Sequence, residues 1–123
     1  MTATDTVNAF IGHLNAMRLP EAWSLLAPDV VYHNIPLQPV VGPDAVAAVL
    51  GQIPMQGMDW IILHSAEHDG HVLNERTDRF HLTDGRWVEL RVMGIFEVFE
   101  GRITAWRDYF DLGQWASAMA PGA

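Results

Sequence analysis

The chain contains no cysteine and no lysine. Without cysteine there is no disulfide framework, no thiol nucleophile and no Cys-ligated zinc. All basic residues are arginine, 7 of them against 15 acidic residues, for a formal net charge of −8. So little positive charge argues against a nucleic-acid or anionic-membrane surface, because both need Lys or Arg to meet phosphate. Long apolar runs are missing too. None approaches the roughly 18 residues that a membrane span needs. The opening MTATDTVNAF has neither the basic region nor the apolar stretch of a signal peptide. What is present is a hydrophobic fraction of 50% with only 18% charged residues, which excludes a disordered chain. The expectation is an acidic, cytoplasmic, globular protein, with residues 1–123 forming a single domain able to bury its own core.

The apolar spacing changes once along the chain. Val7, Phe10, Ile11, Leu14 and Met17 fall three or four apart, one face of a helix that Thr4 or Asp5 can cap. Leu19-Pro20 ends it. Pro20 suits the first turn of a short second helix carrying Ala22, Leu25 and Leu26, closed by Pro28-Asp29. Val30 to Asn34 is β-prone. Ile35 to Gly42, with two prolines, reads as a loop, and Pro43-Asp44 opens a third helix. From Met58 the period becomes two. Strands are expected over Met58–His68, His71–Leu82, Arg86–Phe99 and Arg102–Asp111, separated by turns at Asp69-Gly70, Thr83-Asp84-Gly85 and Glu100-Gly101. Leu112, Trp115, Ala116 and Met119 form a short closing helix. Helices followed by a meander give an α+β class. A curved, mostly antiparallel mixed sheet packed against three N-terminal helices makes a cone with an apolar pocket.

The polar residues within the strands are the informative ones. Asn74, Arg76, Asp78 and Phe80 share one face of the second long strand, and Glu75, Thr77 and Arg79 share the other. One of these faces must point at the helices, where a charge is costly unless paired. Arg76 and Asp78 stand about 6.6 Å apart along a strand, within reach of an arginine that can also hold a second carboxylate. Asp108, between Trp106 and Phe110 on the last strand, is a candidate for that second carboxylate. A structural ion pair and an acid–base site both fit this pattern. Tyr32 and Asn34 share a strand face and could position a small polar molecule. The six histidines do not suggest a metal site. His64 and His68 lie roughly 13 Å apart along a strand, and His68 with His71 at a turn is only a pair.

Several runs together resemble one family. They are Tyr32-His33-Asn34-Ile35-Pro36-Leu37, Glu75-Arg76-Thr77-Asp78, Met93-Gly94-Ile95-Phe96-Glu97, and Gly101 to Asp111 with its Trp-Arg-Asp-Tyr-Phe-Asp stretch. They look like the limonene-1,2-epoxide hydrolase family, within the cone-shaped superfamily that includes nuclear transport factor 2 and ketosteroid isomerase. The likeness spans about residues 5 to 116.

The resemblance implies addition of water to an epoxide, giving a vicinal diol in one step, with no cofactor and no metal. It assigns Asp108 as the base, Tyr32 and Asn34 as holders of the water, Asp78 as the acid, and Arg76 as the bridge between the carboxylates. The pocket wall is expected from Phe10, Leu14, Trp23, Leu26, Leu37, Ile53, Met55, Met58, Phe80, Met93, Ile95 and Phe110. Such a wall suits an apolar epoxide of terpenoid, steroid or lipid origin. A ketosteroid-isomerase-like or polyketide-cyclase-like enzyme, or a non-catalytic binding module, would use the same fold. Neither needs an arginine centred between two aspartates. An outer sheet face carrying Trp60, Ile62, Trp87 and Val98 is expected to form a homodimer, as the family also implies.

Overall fold

A computed structural model describes residues 1–121. The elements run α1 (Ala3–Asn15), α2 (Leu19–Ser24), β1 (Leu26–Asn34), β2 (Val40–Val41), α3 (Pro43–Gly51), β3 (Met55–His68), β4 (His71–Leu82), β5 (Trp87–Phe99), β6 (Arg102–Tyr109) and α4 (Leu112–Met119). The fold is α+β, with helices packed on one mixed sheet of order β2-β1-β6-β5-β4-β3. β1 runs parallel to β6 and every other pairing is antiparallel. No described helix is long and apolar enough to cross a membrane.

Several boundaries differ from the sequence expectation; β3, for one, begins at Met55 rather than Met58. Thr2, not Thr4 or Asp5, caps α1. Its Oγ1 accepts from the Asp5 N–H at 3.1 Å, and the Asp5 carboxylate accepts from the Thr2 N–H at 3.0 Å. Asp5 thus closes a reciprocal capping box. Leu26 opens β1 rather than continuing α2, because the Ile103 N–H donates to the Leu25 carbonyl at 2.8 Å and draws the chain into the sheet. The β1–β6 register then jumps from Leu26↔Ile103 to Val31↔Ala105, and Pro28 lies in that irregular stretch. Val40–Val41 in the proline-rich loop pairs with Val31 and Tyr32 as a two-residue edge strand. β6 stops at Tyr109, and Asp111 caps α4 by accepting from the Gly113 and Gln114 N–H groups.

The β3–β4 and β5–β6 turns have left-handed backbone at both central residues, Asp69 (φ 49°) with Gly70 (φ 73°) and Glu100 (φ 51°) with Gly101 (φ 77°). That twist matches the strands and holds the hairpin register. On β4 the alternation is strict: Val72, Asn74, Arg76, Asp78, Phe80 and Leu82 point inward. On β5 the inward set is Val88, Leu90, Val92, Gly94 and Phe96. α1 lays Val7, Phe10, Ile11 and Leu14 across this face, and Phe10 stands edge-on to Trp106 at 5.2 Å between ring centroids.

Trp60 also points inward, contrary to its expected place on the outer face. It pairs with Asp78 in register and is 4% exposed. Asn15 at the end of α1 clamps its backbone, donating to the Trp60 carbonyl at 3.0 Å and accepting from its N–H at 2.8 Å. Asn15 therefore satisfies the open edge of β3 at this point. Ile62 and Val98, also expected on the outer face, turn inward as well, half-buried against the core opposite Arg76 and Ile103; Trp87 is exposed on the outer face as expected.

Candidate active site

A row of residues crosses four strands and builds the site. Asn34 on β1 stands opposite Asp108 on β6, Asp108 opposite Gly94 on β5, and Gly94 opposite Asn74 on β4. Arg76, two residues along β4 from Asn74, spans β5 to reach Asp108. It can do so because Gly94 has no side chain. A Cβ at position 94 would collide with Arg76 Nη1 and lie 2.6 Å from Asp108 Oδ1.

Arg76 is the hub. Its Nε donates to Asp78 Oδ1 at 2.9 Å, and its Nη2 donates both to Asp78 Oδ2 at 3.0 Å and to Asp108 Oδ2 at 2.8 Å. Its Nη1 donates to Asn74 Oδ1 at 2.8 Å. Asp108 Oδ1 accepts from the Trp106 indole N–H at 2.8 Å. Arg76, Asp78 and Asp108 are all buried. The guanidinium also lies 5.1 Å from the Trp60 ring centroid and 5.8 Å from that of Phe96, so aromatic faces help carry the buried positive charge.

The electrostatics follow from burial. One guanidinium and two ionised carboxylates sum to −1, and one proton makes the cluster neutral. Burial pushes the Asp78 carboxyl up to about 6, against the pull of the Arg76 charge and hydrogen bonds, and the Asp108 charge adds to the rise. For Arg76, burial acts downward, but the Asp108 and Asp78 charges outweigh it and hold the guanidinium firmly protonated. Burial and the Asp108 charge raise Tyr32, so its phenol stays neutral, although the Asn34 amide and Arg76 draw it down. Tyr32 stacks on Trp106 at 4.1 Å between centroids, its partner in the parallel β1–β6 pairing. A carboxyl that holds its proton to about pH 6 and a neutral phenol therefore stand together in one buried cluster.

Tyr32, Asn34, Asp78 and Asp108 face one cavity of about 300 Å³. Of the apolar residues expected on its wall, Leu37, Ile53, Phe80 and Phe110 line it. The others do not. Phe10, Leu14, Leu26 and Met58 are spent in the core, where the α1 stripe packs on Trp106 and Phe96 rather than on the cavity. Trp23 packs on Phe10 and borders a shallow groove elsewhere with Leu26. Met55 packs against the core at the start of β3. Met93 and Ile95 lie on the outer sheet face, because the Gly94–Asp108 pairing turns the even-numbered positions of β5 inward. The rest of the wall comes from Leu90 and Val92 on β5, Trp60 on β3, the end of α3, and Trp115 and Met119 on α4. Trp115 meets Phe80 edge-on at 5.4 Å.

Three residues of the cluster fall outside the expected site set: Asn74, Gly94 and Trp106. Gly94 had a usable signal, a glycine in mid-strand, which commonly marks close approach of other atoms. Trp106 and Asn74 had only their parity with Asp108 and Arg76. Among the described residues no three His, Asp or Glu side chains converge as metal ligands. His68 and His71 instead meet Asp69 and Glu97 at 3.1 and 3.6 Å.

Comparison with known proteins gives the family. Residues 1–120 match the model of the limonene-1,2-epoxide hydrolase catalytic domain. Epoxide hydrolase EphG of Mycobacterium tuberculosis is 36% identical over 107 residues, which cover 86% of this chain and 71% of the relative. The solved structure of an M. tuberculosis LEH-like epoxide hydrolase superposes with a TM-score of 0.83 at 31% identity, covering 95% of this chain and 88% of that one. An NTF2-like protein from Burkholderia pseudomallei superposes with a TM-score of 0.86 at 21% identity, covering 98% and 99% of the two chains, a likeness of fold alone. The chain belongs to the limonene-1,2-epoxide hydrolase family and is an epoxide hydrolase of that type.

Proposed function

We propose that the enzyme adds water to an apolar epoxide in a single step, using Asp78, Arg76 and Asp108 with Tyr32 and Asn34. The observation that carries this reading is the position of Arg76 Nη2, which bonds Asp78 Oδ2 and Asp108 Oδ2 at once beside an apolar cavity.

An epoxide is strained, but its leaving group is an alkoxide. Opening it near neutral pH needs a proton for that oxygen and a base for the attacking water. Protonated Asp78 supplies the first and ionised Asp108 the second. Tyr32 and Asn34 hold the water beside Asp108. The water oxygen bonds to one epoxide carbon as that carbon's bond to the ring oxygen breaks. Asp108 takes the proton from water, and Asp78 gives its proton to the ring oxygen. The diol leaves with the cluster's proton on Asp108. Return of that proton to Asp78, past the guanidinium both carboxylates share, resets the site. The proton belongs to the set rather than to one residue.

The cavity wall is apolar apart from the catalytic end and Gln52. A terpenoid, steroid or lipid-derived epoxide matches such a wall. The outer sheet face, with Ile61, Leu63, Trp87 and Met93 each more than 40% exposed, suits a homodimer.

The test is one turnover in ¹⁸O-water with a panel of cyclic terpene, steroid and fatty-acid epoxides. Label in the diol, none in Asp108, and no diol from Asp108→Asn are the expected results. Label incorporated into an enzyme carboxylate would mean an ester intermediate and end the one-step mechanism.

A further inference from the structure

Arg76 has a third partner that does not face the cavity. Asn74 Oδ1 accepts from Arg76 Nη1 at 2.8 Å, while Asp78 and Asp108 occupy Nε and Nη2. Asn74 is fully buried and does not line the cavity, so it cannot touch a substrate held there. Its use of hydrogen-bonding capacity is one-sided. The oxygen is engaged, while the amide nitrogen has no partner among the described residues. A buried amide with an unpaired nitrogen is a poor choice for stability alone.

Two properties of this contact bear on the chemistry. The first is direction. A planar guanidinium held on Nε, Nη2 and Nη1 cannot rotate when negative charge passes from Asp108 to Asp78 during a turnover. The second is charge. Every titratable or charged group facing the cluster is accounted for: Arg76 and Asp78 from β4, Asp108 from β6, and the neutral Tyr32 phenol from β1. β5 presents Val92 and Gly94, β3 presents Trp60, and α1 presents Phe10. An isosteric aspartate at 74 would place a third carboxylate on one guanidinium, and the cluster would then bind a second proton.

We infer that Asn74 is a positioning residue of the acid–base site: its side-chain oxygen locks the free edge of the Arg76 guanidinium, and its neutrality limits the buried cluster to one exchangeable proton. This rests on the epoxide-opening mechanism proposed above.

The experiment compares Asn74→Asp, Asn74→Ser and Asn74→Ala with wild type. One readout is the pH profile of kcat and KM on an epoxide that wild type turns over. The other is a ¹³C-carboxyl NMR titration of the aspartates, which needs no substrate. Asn74→Asp is expected to bind one more proton and to move the alkaline limb of kcat upward by about one pH unit. Asn74→Ala is expected to lower kcat by about 10- to 100-fold with KM within about three-fold, and Asn74→Ser to recover part of that loss. If Asn74→Ala does not fold, Asn74→Asp, which keeps shape and acceptor, decides alone. Wild-type titrations and a wild-type pH profile in Asn74→Asp would overturn the inference, as would equal changes of kcat and KM in Asn74→Ala. Should wild type open no epoxide, the functional reading fails, while the carboxyl titration of Asn74→Asp still decides the proton count.

Discussion

Asn34 and Asp108 stand side by side in the only parallel pairing among the described strands, β1 with β6. They lie about 75 residues apart in the chain, and neither is placed by its local sequence. The Ile35 N–H donates to the Asp108 carbonyl at 2.9 Å and fixes this register just past the end of β1. An amide and a carboxylate thus reach the same cavity wall at a fixed spacing.

Asp108→Asn should lower kcat by at least about 10²-fold and Asn34→Ala by roughly 10-fold, since the first removes the proposed base and the second one proposed holder of its water. Both should keep the wild-type circular dichroism, with a lower melt for Asp108→Asn, because its single amide oxygen can accept from Arg76 or from Trp106 while its NH2 meets the other donor. Diol release against epoxide concentration measures the first effect, and a thermal melt the second. Unfolding of both variants would mark the cluster as structural.

Asp78 ties activity and stability to pH in the same range. Its folded-state pKa of about 6 lies above the ordinary value of 3.8. A raised carboxyl contributes stability that is fully present below the unfolded pKa and lost as pH rises through the folded one. Between about pH 4 and pH 7 the fold should lose roughly 3 kcal/mol from this group, at about 1.4 kcal/mol per pKa unit. Urea melts across that range should show the slope, and Asp78→Asn should flatten it. In the same window kcat/KM should fall on the alkaline side of about pH 6, as the acid deprotonates. A pH-independent rate up to pH 8 would contradict Asp78 as the acid.

Gly94→Ala tests the bridge over β5. The added methyl collides with the Arg76 guanidinium and the Asp108 carboxylate. It must displace one of them, so activity should drop by at least about 10²-fold. Stability should fall by roughly 1–3 kcal/mol, the cost of overpacking. Gly57→Ala on β3, where the nearest atom is the His81 Cβ at 3.7 Å, serves as the control. It should leave activity near wild type.

A charge on the outer sheet face tests self-association. Met93→Glu or Leu63→Arg, at exposed positions of β5 and β3, should convert a dimer to a monomer in light scattering. The melt should then become independent of protein concentration. A wild-type monomer at high micromolar concentration would remove the proposal.

The change of apolar spacing from three-or-four to two was enough to set α1, α3 and the β3–β6 meander. Those patterns are local: a helix stripe and a strand alternation depend only on neighbours along the chain. The family pattern of Tyr32 and Asn34, Arg76 and Asp78, and Asp108 was legible for the same reason, as short motifs at fixed spacing. Asn74, Gly94 and Trp106 became visible only through cross-strand register, which no single strand encodes. Trp60, Met93 and Ile95 show the same limit. Their composition suits either face of the sheet, and the side was decided by the Trp60–Asp78 and Gly94–Asp108 pairings. The cavity wall from α4 was likewise a matter of packing, since Trp115 reaches the site only because Asp111 turns the chain back over Phe80. Chemistry-bearing motifs are one-dimensional and can be read. A pocket is a set of surfaces brought together from distant segments, and the packing free energy of the whole sheet chooses which side each residue faces.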